Sequence, residues 1–127
     1  MPQIKELLKK NGISYINGDI NDYCNLHQAF ELYEPDVVVH FAGLKSVPQS
    51  FSEPLNYWEN NVYGSICLFE VMRKFNCKNI VFSSSATVYG HPKSIPILEN
   101  FETKPINPYG QTKLEVCLLY TSDAADE

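Results

Sequence analysis

Tyr109 and Lys113 stand four residues apart in the run Asn107-Pro108-Tyr109-Gly110-Gln111-Thr112-Lys113. On a helix that spacing stacks the two side chains on one face. An ammonium beside a phenol favours the phenolate and lowers a pKa that is ordinarily about 10. A tyrosine tuned in this way can act as a base near neutral pH. The run Ser83-Ser84-Ser85-Ala86-Thr87 adds hydroxyls able to orient a substrate hydroxyl. Each feature also has a plain structural use. Tyr-x-x-x-Lys arises often by chance, and serines after a strand cap turns.

The flanking residues predict the elements that carry these groups. Pro2 to Lys10 reads as a helix stopped by Gly12, followed by a strand over Ile13–Ile16 that ends at Asn17-Gly18-Asp19. A helix is expected from about Asp22 to Tyr33, with Leu26, Ala29, Phe30 and Tyr33 on one side. Asp36 to Phe41 and Asn79 to Ser84 are apolar runs with little alternation, which marks strands covered on both faces. Leu44 to Glu53 is a loop or a loop with one turn. Pro54 to about Phe75 is a long helix with a stripe of Leu55, Trp58, Val62, Ile66, Phe69 and Met72. Gly64 in its middle is expected to be compensated by close packing against the sheet. A proline-rich loop over 91–107 leads to a helix that begins near Tyr109.

Strands that alternate with helices imply a Rossmann-like α/β fold with a doubly wound parallel sheet. Strands near 13–17, 36–41 and 79–84 are expected to be parallel neighbours. Ligands of such sheets bind beyond the carboxyl ends of the strands. Those ends carry Gly18-Asp19-Ile20, Phe41-Ala42-Gly43-Leu44-Lys45 and the serine run. Asp19 has an alternative use as a helix cap, and Ala42-Gly43 as an ordinary turn.

The 127 residues are 44% hydrophobic and 20% charged, the balance of a globular domain. The net charge is -5 and the basic residues do not cluster, which argues against nucleic acid. No apolar run is long enough to span a membrane. Cys24, Cys67, Cys77 and Cys117 form no Cys-x-x-Cys pair and read as reduced thiols of a cytoplasmic protein. No metal site is expected.

His40-Phe41-Ala42-Gly43-Leu44-Lys45-Ser46-Val47, Ser83-Ser84-Ser85-Ala86-Thr87-Val88-Tyr89-Gly90 and Asn107 to Lys113 together resemble the UDP-glucose 4-epimerases. These belong to the extended short-chain dehydrogenase/reductase family. Gly18-Asp19-Ile20 and Asn60-Asn61-Val62 fall at matching places, and the resemblance covers roughly residues 1–116. It implies NAD as cofactor and a UDP-sugar as substrate. UDP-glucose and UDP-galactose would be interconverted at C4 through a 4-keto intermediate. Asp19 and Ile20 resemble the residues that hold adenine. Phe41, Ala42, Gly43, Leu44 and Lys45 resemble the wall along the cofactor, with Lys45 near the substrate too. Asn60 resembles a further cofactor contact. Ser85 resembles the serine that binds the reacting sugar hydroxyl, Tyr109 the base, and Lys113 the lysine that binds nicotinamide ribose and tunes the tyrosine. A homodimer is implied for the full-length enzyme.

Two departures accompany the resemblance. No residue matches the family's Gly-x-x-Gly-x-x-Gly loop, and the C-terminal substrate domain has no counterpart. Residues 1–116 are therefore expected to form a partial NAD-binding domain that is inactive alone. Residues 117–127 resemble a translated sequencing adapter and are expected to form a polar, projecting, non-native tail. The alternatives are another family member acting on a nucleotide sugar (a 4,6-dehydratase or decarboxylase) and a non-catalytic nucleotide-sensing regulator. The presence of Tyr109, Lys113 and Ser85 argues against the regulator.

Overall fold

A computed structural model describes residues 2–125 of the chain. Helix α1 (Pro2–Lys10) ends at Gly12, whose φ of 67° is one that glycine takes without a side-chain clash. Helix α2 (Tyr23–Tyr33) is capped by Asp22, which accepts a hydrogen bond from the Asn25 amide at 3.0 Å. Strand β1 (Val37–His40) follows, then α3 (Val47–Ser52), capped by Ser46. Helix α4 (Pro54–Tyr57), a π-helical turn (Trp58–Tyr63) and α5 (Gly64–Lys74) run on without leaving helical backbone. Strand β2 (Asn79–Phe82), a short 3-10 turn (Ala86–Tyr89) and α6 (Pro108–Ala125) complete the order.

Strands β1 and β2 are parallel, with Val37 opposite Asn79 and His40 opposite Phe82. The expected third neighbour at 13–17 is not in this sheet, which has two strands. A groove of about 280 Å³ runs between Ile16, Gly18, Asp19 and Ile20 on one side and Val38 to Ala42 on the other. No backbone hydrogen bond joins residues 13–17 to β1 among the described residues, so no ladder forms there.

Val38 and Ile80 face a core of Phe30, Leu68, Val71, Met72 and Cys77, supplied largely by α2 and α5. The opposite face is open: Val37, Val39 and Val81 are each more than half exposed. Two-sided cover was the expectation from the apolar runs. Periodicity reports what a strand can bury, and only one face has helices packed on it here.

The stripe of the long helix also differs from the expected one. Leu55 is 83% exposed, while Tyr57, Val62, Leu68, Val71 and Met72 are buried. The π turn is wider than an α turn, so it breaks the phase between the residues before and after it. Gly64 is packed closely, as expected, but against the turn after Asp19 rather than the sheet. A Cβ there would lie 2.5 Å from Ile20 Cγ2 and 2.7 Å from Asn21 Oδ1.

Helix α6 does not stop near Val116. It continues to Ala125, and the Tyr120 hydroxyl donates to the Lys78 carbonyl at 2.6 Å. The Tyr120 ring also sits 5.5 Å from that of Phe69. Leu118, Leu119 and Ala124 are ordinary helix formers, so the helix propagates through a segment read as too polar to finish it. The expectations for Asp126 and Glu127 lie outside the described residues. All four cysteines are free thiols. Among the described residues no helix is long and apolar enough to cross a membrane, and no three His, Cys, Asp or Glu side chains could share a metal.

Candidate active site

The site forms where β2 ends against the first turns of α6. Lys113 is 2% exposed, and its ammonium donates to the Ser83 carbonyl at 2.8 Å. It lies 4.7 Å from the centre of the Phe82 ring and 5.9 Å from that of Tyr109. Burial, and secondarily the charge of Lys45, hold the Lys113 pKa below the usual lysine range. Tyr109 is buried with its ring edge-on to Tyr57, centroids 6.5 Å apart. The Tyr57 hydroxyl donates to the Ser46 carbonyl at 2.7 Å, which anchors that aromatic wall.

Ser85 begins the 3-10 turn in extended conformation, φ −151° and ψ 145°. With Ser84, Val88, Tyr89, Ile97 and Glu99 it lines a cavity of about 470 Å³. Helix α6 meets this turn at Gly110, where a Cβ would stand 2.8 Å from the Thr87 carbonyl. That close approach places Tyr109 beside the Ser85 turn. The turn that follows Ser85 and the first turns of α6, which carry Tyr109 and Lys113, thus meet beyond the end of β2.

The loop after β1 approaches the same end. Gly43 has φ 155°, and a Cβ there would lie 3.1 Å from Asn61 Oδ1 and 3.6 Å from Lys113 Nζ. Phe41, Ala42 and Lys45 are exposed beside it, and Leu44 is half-buried. Asp19 and Ile20 line the groove opposite Phe41 and Ala42. Asp19 does not cap α2. Its Oδ1 accepts from the Asn21 amide at 2.9 Å, and Asp22 caps the helix.

Asn60 is half-buried and stands outside the hydrogen-bond network that its neighbour anchors. Asn61 is 4% exposed, and its Oδ1 accepts from the Leu44 amide at 2.7 Å. Its Nδ2 donates to the Leu44 carbonyl at 3.0 Å and to Thr112 Oγ1 at 3.1 Å. The Thr112 hydroxyl donates in turn to the Tyr109 carbonyl at 2.8 Å. One buried amide therefore ties the β1 loop to the helix of Tyr109 and Lys113. The available signal was an Asn inside an apolar helical stretch, since a buried amide must find partners.

His40 is the last residue of β1. It is 3% exposed, with Nε2 2.8 Å from Ser65 Oγ. The Ser65 proton goes to the Asn61 carbonyl at 2.6 Å, so Nε2 is the donor to Ser65. Burial, and then the charge of Lys113, push the His40 pKa down to about 4. The ring is neutral at pH 7 and braces the π turn against β1.

A family model described as GDP-mannose 4,6 dehydratase matches residues 2–122. The chain belongs to this family. The match continues past Val116, where the resemblance had been expected to end. A UDP-glucose 4-epimerase of Pisum sativum is 45% identical over 115 residues, 88% of this chain and 33% of that protein. A UDP-glucose 4-epimerase of Cyamopsis tetragonoloba is 48% identical over 91% of this chain and 34% of that protein. The UDP-glucose 4-epimerase of Bifidobacterium longum, solved with NAD+ and UDP, superposes with a TM-score of 0.91 at 38% identity. That alignment covers 97% of this chain and 38% of the other. The Brucella ovis enzyme, solved with NAD, gives 0.87 at 38% identity over 89% of this chain and 35% of that one. The chain spans about a third of the length of the curated relatives it matches. Its parallel α/β architecture is the Rossmann-like fold of these family members.

Proposed function

We propose that the full-length protein interconverts UDP-glucose and UDP-galactose at C4 through a 4-keto intermediate. The observation that carries this reading is the buried Lys113 ammonium, held by Ser83 beside Tyr109 where the Ser85 turn begins. Relatives and solved neighbours bear the name of this activity.

The residues suit a dinucleotide. Gly43 leaves open the space that a Cβ would take between Asn61 and Lys113. The groove between Asp19 and Ala42 offers a carboxylate beside apolar walls. Asp19, Ile20, the Phe41 to Lys45 loop, Asn60 and Lys113 would hold NAD. When bound, NAD supplies the oxidation and reduction at the sugar carbon. Tyr109 accepts the proton of the sugar's 4-hydroxyl and later returns it. Ser85 orients that hydroxyl, and Lys113 keeps positive charge near the Tyr109 ring, 5.9 Å from its centre. Residues 1–116 form part of the NAD-binding domain on this reading.

The test is to incubate the full-length protein with NAD+ and UDP-galactose and follow UDP-glucose. A 4,6-dehydratase would instead form a 4-keto-6-deoxy sugar. That product without UDP-glucose would replace the epimerase reading.

A further inference from the structure

The Ser85 hydroxyl has its acceptor capacity filled from one residue. The Thr87 amide reaches Ser85 Oγ at 3.2 Å, and the Thr87 hydroxyl donates to the same oxygen at 2.9 Å. A hydroxyl has two lone pairs and one proton. Both lone pairs are engaged by Thr87, and no described residue takes the proton. The free valence of Ser85 is therefore its O–H, and Ser85 is among the residues that line the 470 Å³ cavity.

We infer that Thr87 is a positioning residue that makes Ser85 a hydrogen-bond donor toward the reacting sugar oxygen. This rests on the epimerase reading and deepens it. A serine with both lone pairs free can accept the sugar's proton as readily as give its own. Accepting would compete with Tyr109 for the proton of the 4-hydroxyl. With the Thr87 amide and hydroxyl both donating to its oxygen, Ser85 keeps its proton for the sugar oxygen. Its proton then meets the sugar oxygen as negative charge builds there, while the sugar's own proton is left for Tyr109. Thr87 is well anchored for this task. Its carbonyl lies against Gly110 of α6, so one residue sets both the Ser85 rotamer and the seat of the Tyr109 helix.

The variants Thr87→Val and Thr87→Ser separate this role from packing in the full-length protein with NAD+ bound. Valine keeps the shape and the backbone amide but removes the hydroxyl. We expect kcat for UDP-galactose to fall about tenfold, the worth of one lost hydrogen bond. KM should stay within about twofold, and serine should restore kcat. In a Ser85→Ala background, Thr87→Val should change little, because its effect passes through Ser85. Wild-type kcat in Thr87→Val would overturn the inference. So would a fall that serine does not restore, or an equal fall with Ser85 already gone. Failure of the wild-type protein to convert UDP-galactose would overturn the epimerase reading itself, and this inference with it.

Discussion

Asn61 closes a two-way hydrogen bond on the backbone of Leu44, accepting its amide at 2.7 Å and donating to its carbonyl at 3.0 Å. The pair copies a strand-to-strand contact with one side chain, and joins a helix to the loop after β1. Aspartate in this position keeps the acceptor but cannot donate. It would place a carboxylate against the Leu44 carbonyl and the Thr112 oxygen. Asn61→Asp should therefore destabilise the protein by about 1–3 kcal/mol, the cost of buried polar groups left unpaired. Urea unfolding measures this, and a midpoint unchanged from wild type would show that the clamp carries no weight.

Tyr109→Phe removes a proton acceptor and almost no volume. In the full-length protein turnover of UDP-galactose should fall on the order of 10² to 10⁴, the usual contribution of a general base. Binding of UDP-sugar should change far less. Steady-state rates and equilibrium titration of the same preparation separate the two effects. Near-normal turnover would remove Tyr109 from the mechanism.

His40 sets a pH dependence of stability. Its folded pKa is pushed down to about 4, whereas an unfolded histidine titrates near about 6.5. Between those values the unfolded chain binds more protons, so stability rises with pH. The contribution is complete above about pH 6.5 and is lost as pH falls toward 4. His40→Gln can still donate to Ser65 but takes no charge. Unfolding curves at pH 7.5 and pH 5 should show a larger drop for wild type than for the variant. An identical drop in both would assign the slope to other groups.

The 127-residue chain by itself should bind NAD+ weakly. No segment in it matches a glycine-rich phosphate loop, so it offers no backbone cradle for the pyrophosphate. Calorimetric titration should show no micromolar binding, and no UDP-galactose should be converted. The open apolar face of Val37, Val39 and Val81 should also promote association. Light scattering should then rise with concentration, and a monomeric chain with micromolar affinity for NAD+ would contradict both expectations.

Local chemistry in the sequence was enough to place most helices, the two paired strands and the residues gathered at their ends. Alternation of apolar runs and helical stripes reports what each segment can bury; Tyr109 and Lys113 stand out by their spacing of four, and Ser85 by the resemblance of its run to the epimerases. Tertiary structure decided what depends on which segment meets which. Residues 13–17 have the composition of a strand, but a strand exists only through its partner, and no backbone hydrogen bond joins them to β1. The buried stripe before α5 shifted because one π turn changed its phase, a feature with no signature in residue type. Asn60 and Asn61 are chemically identical in the chain. Only the direction of the helix at that turn sends Asn61, and not Asn60, into the clamp on Leu44 and Thr112. His40 looked like one more strand residue until Ser65, 25 positions away, was brought to its ring.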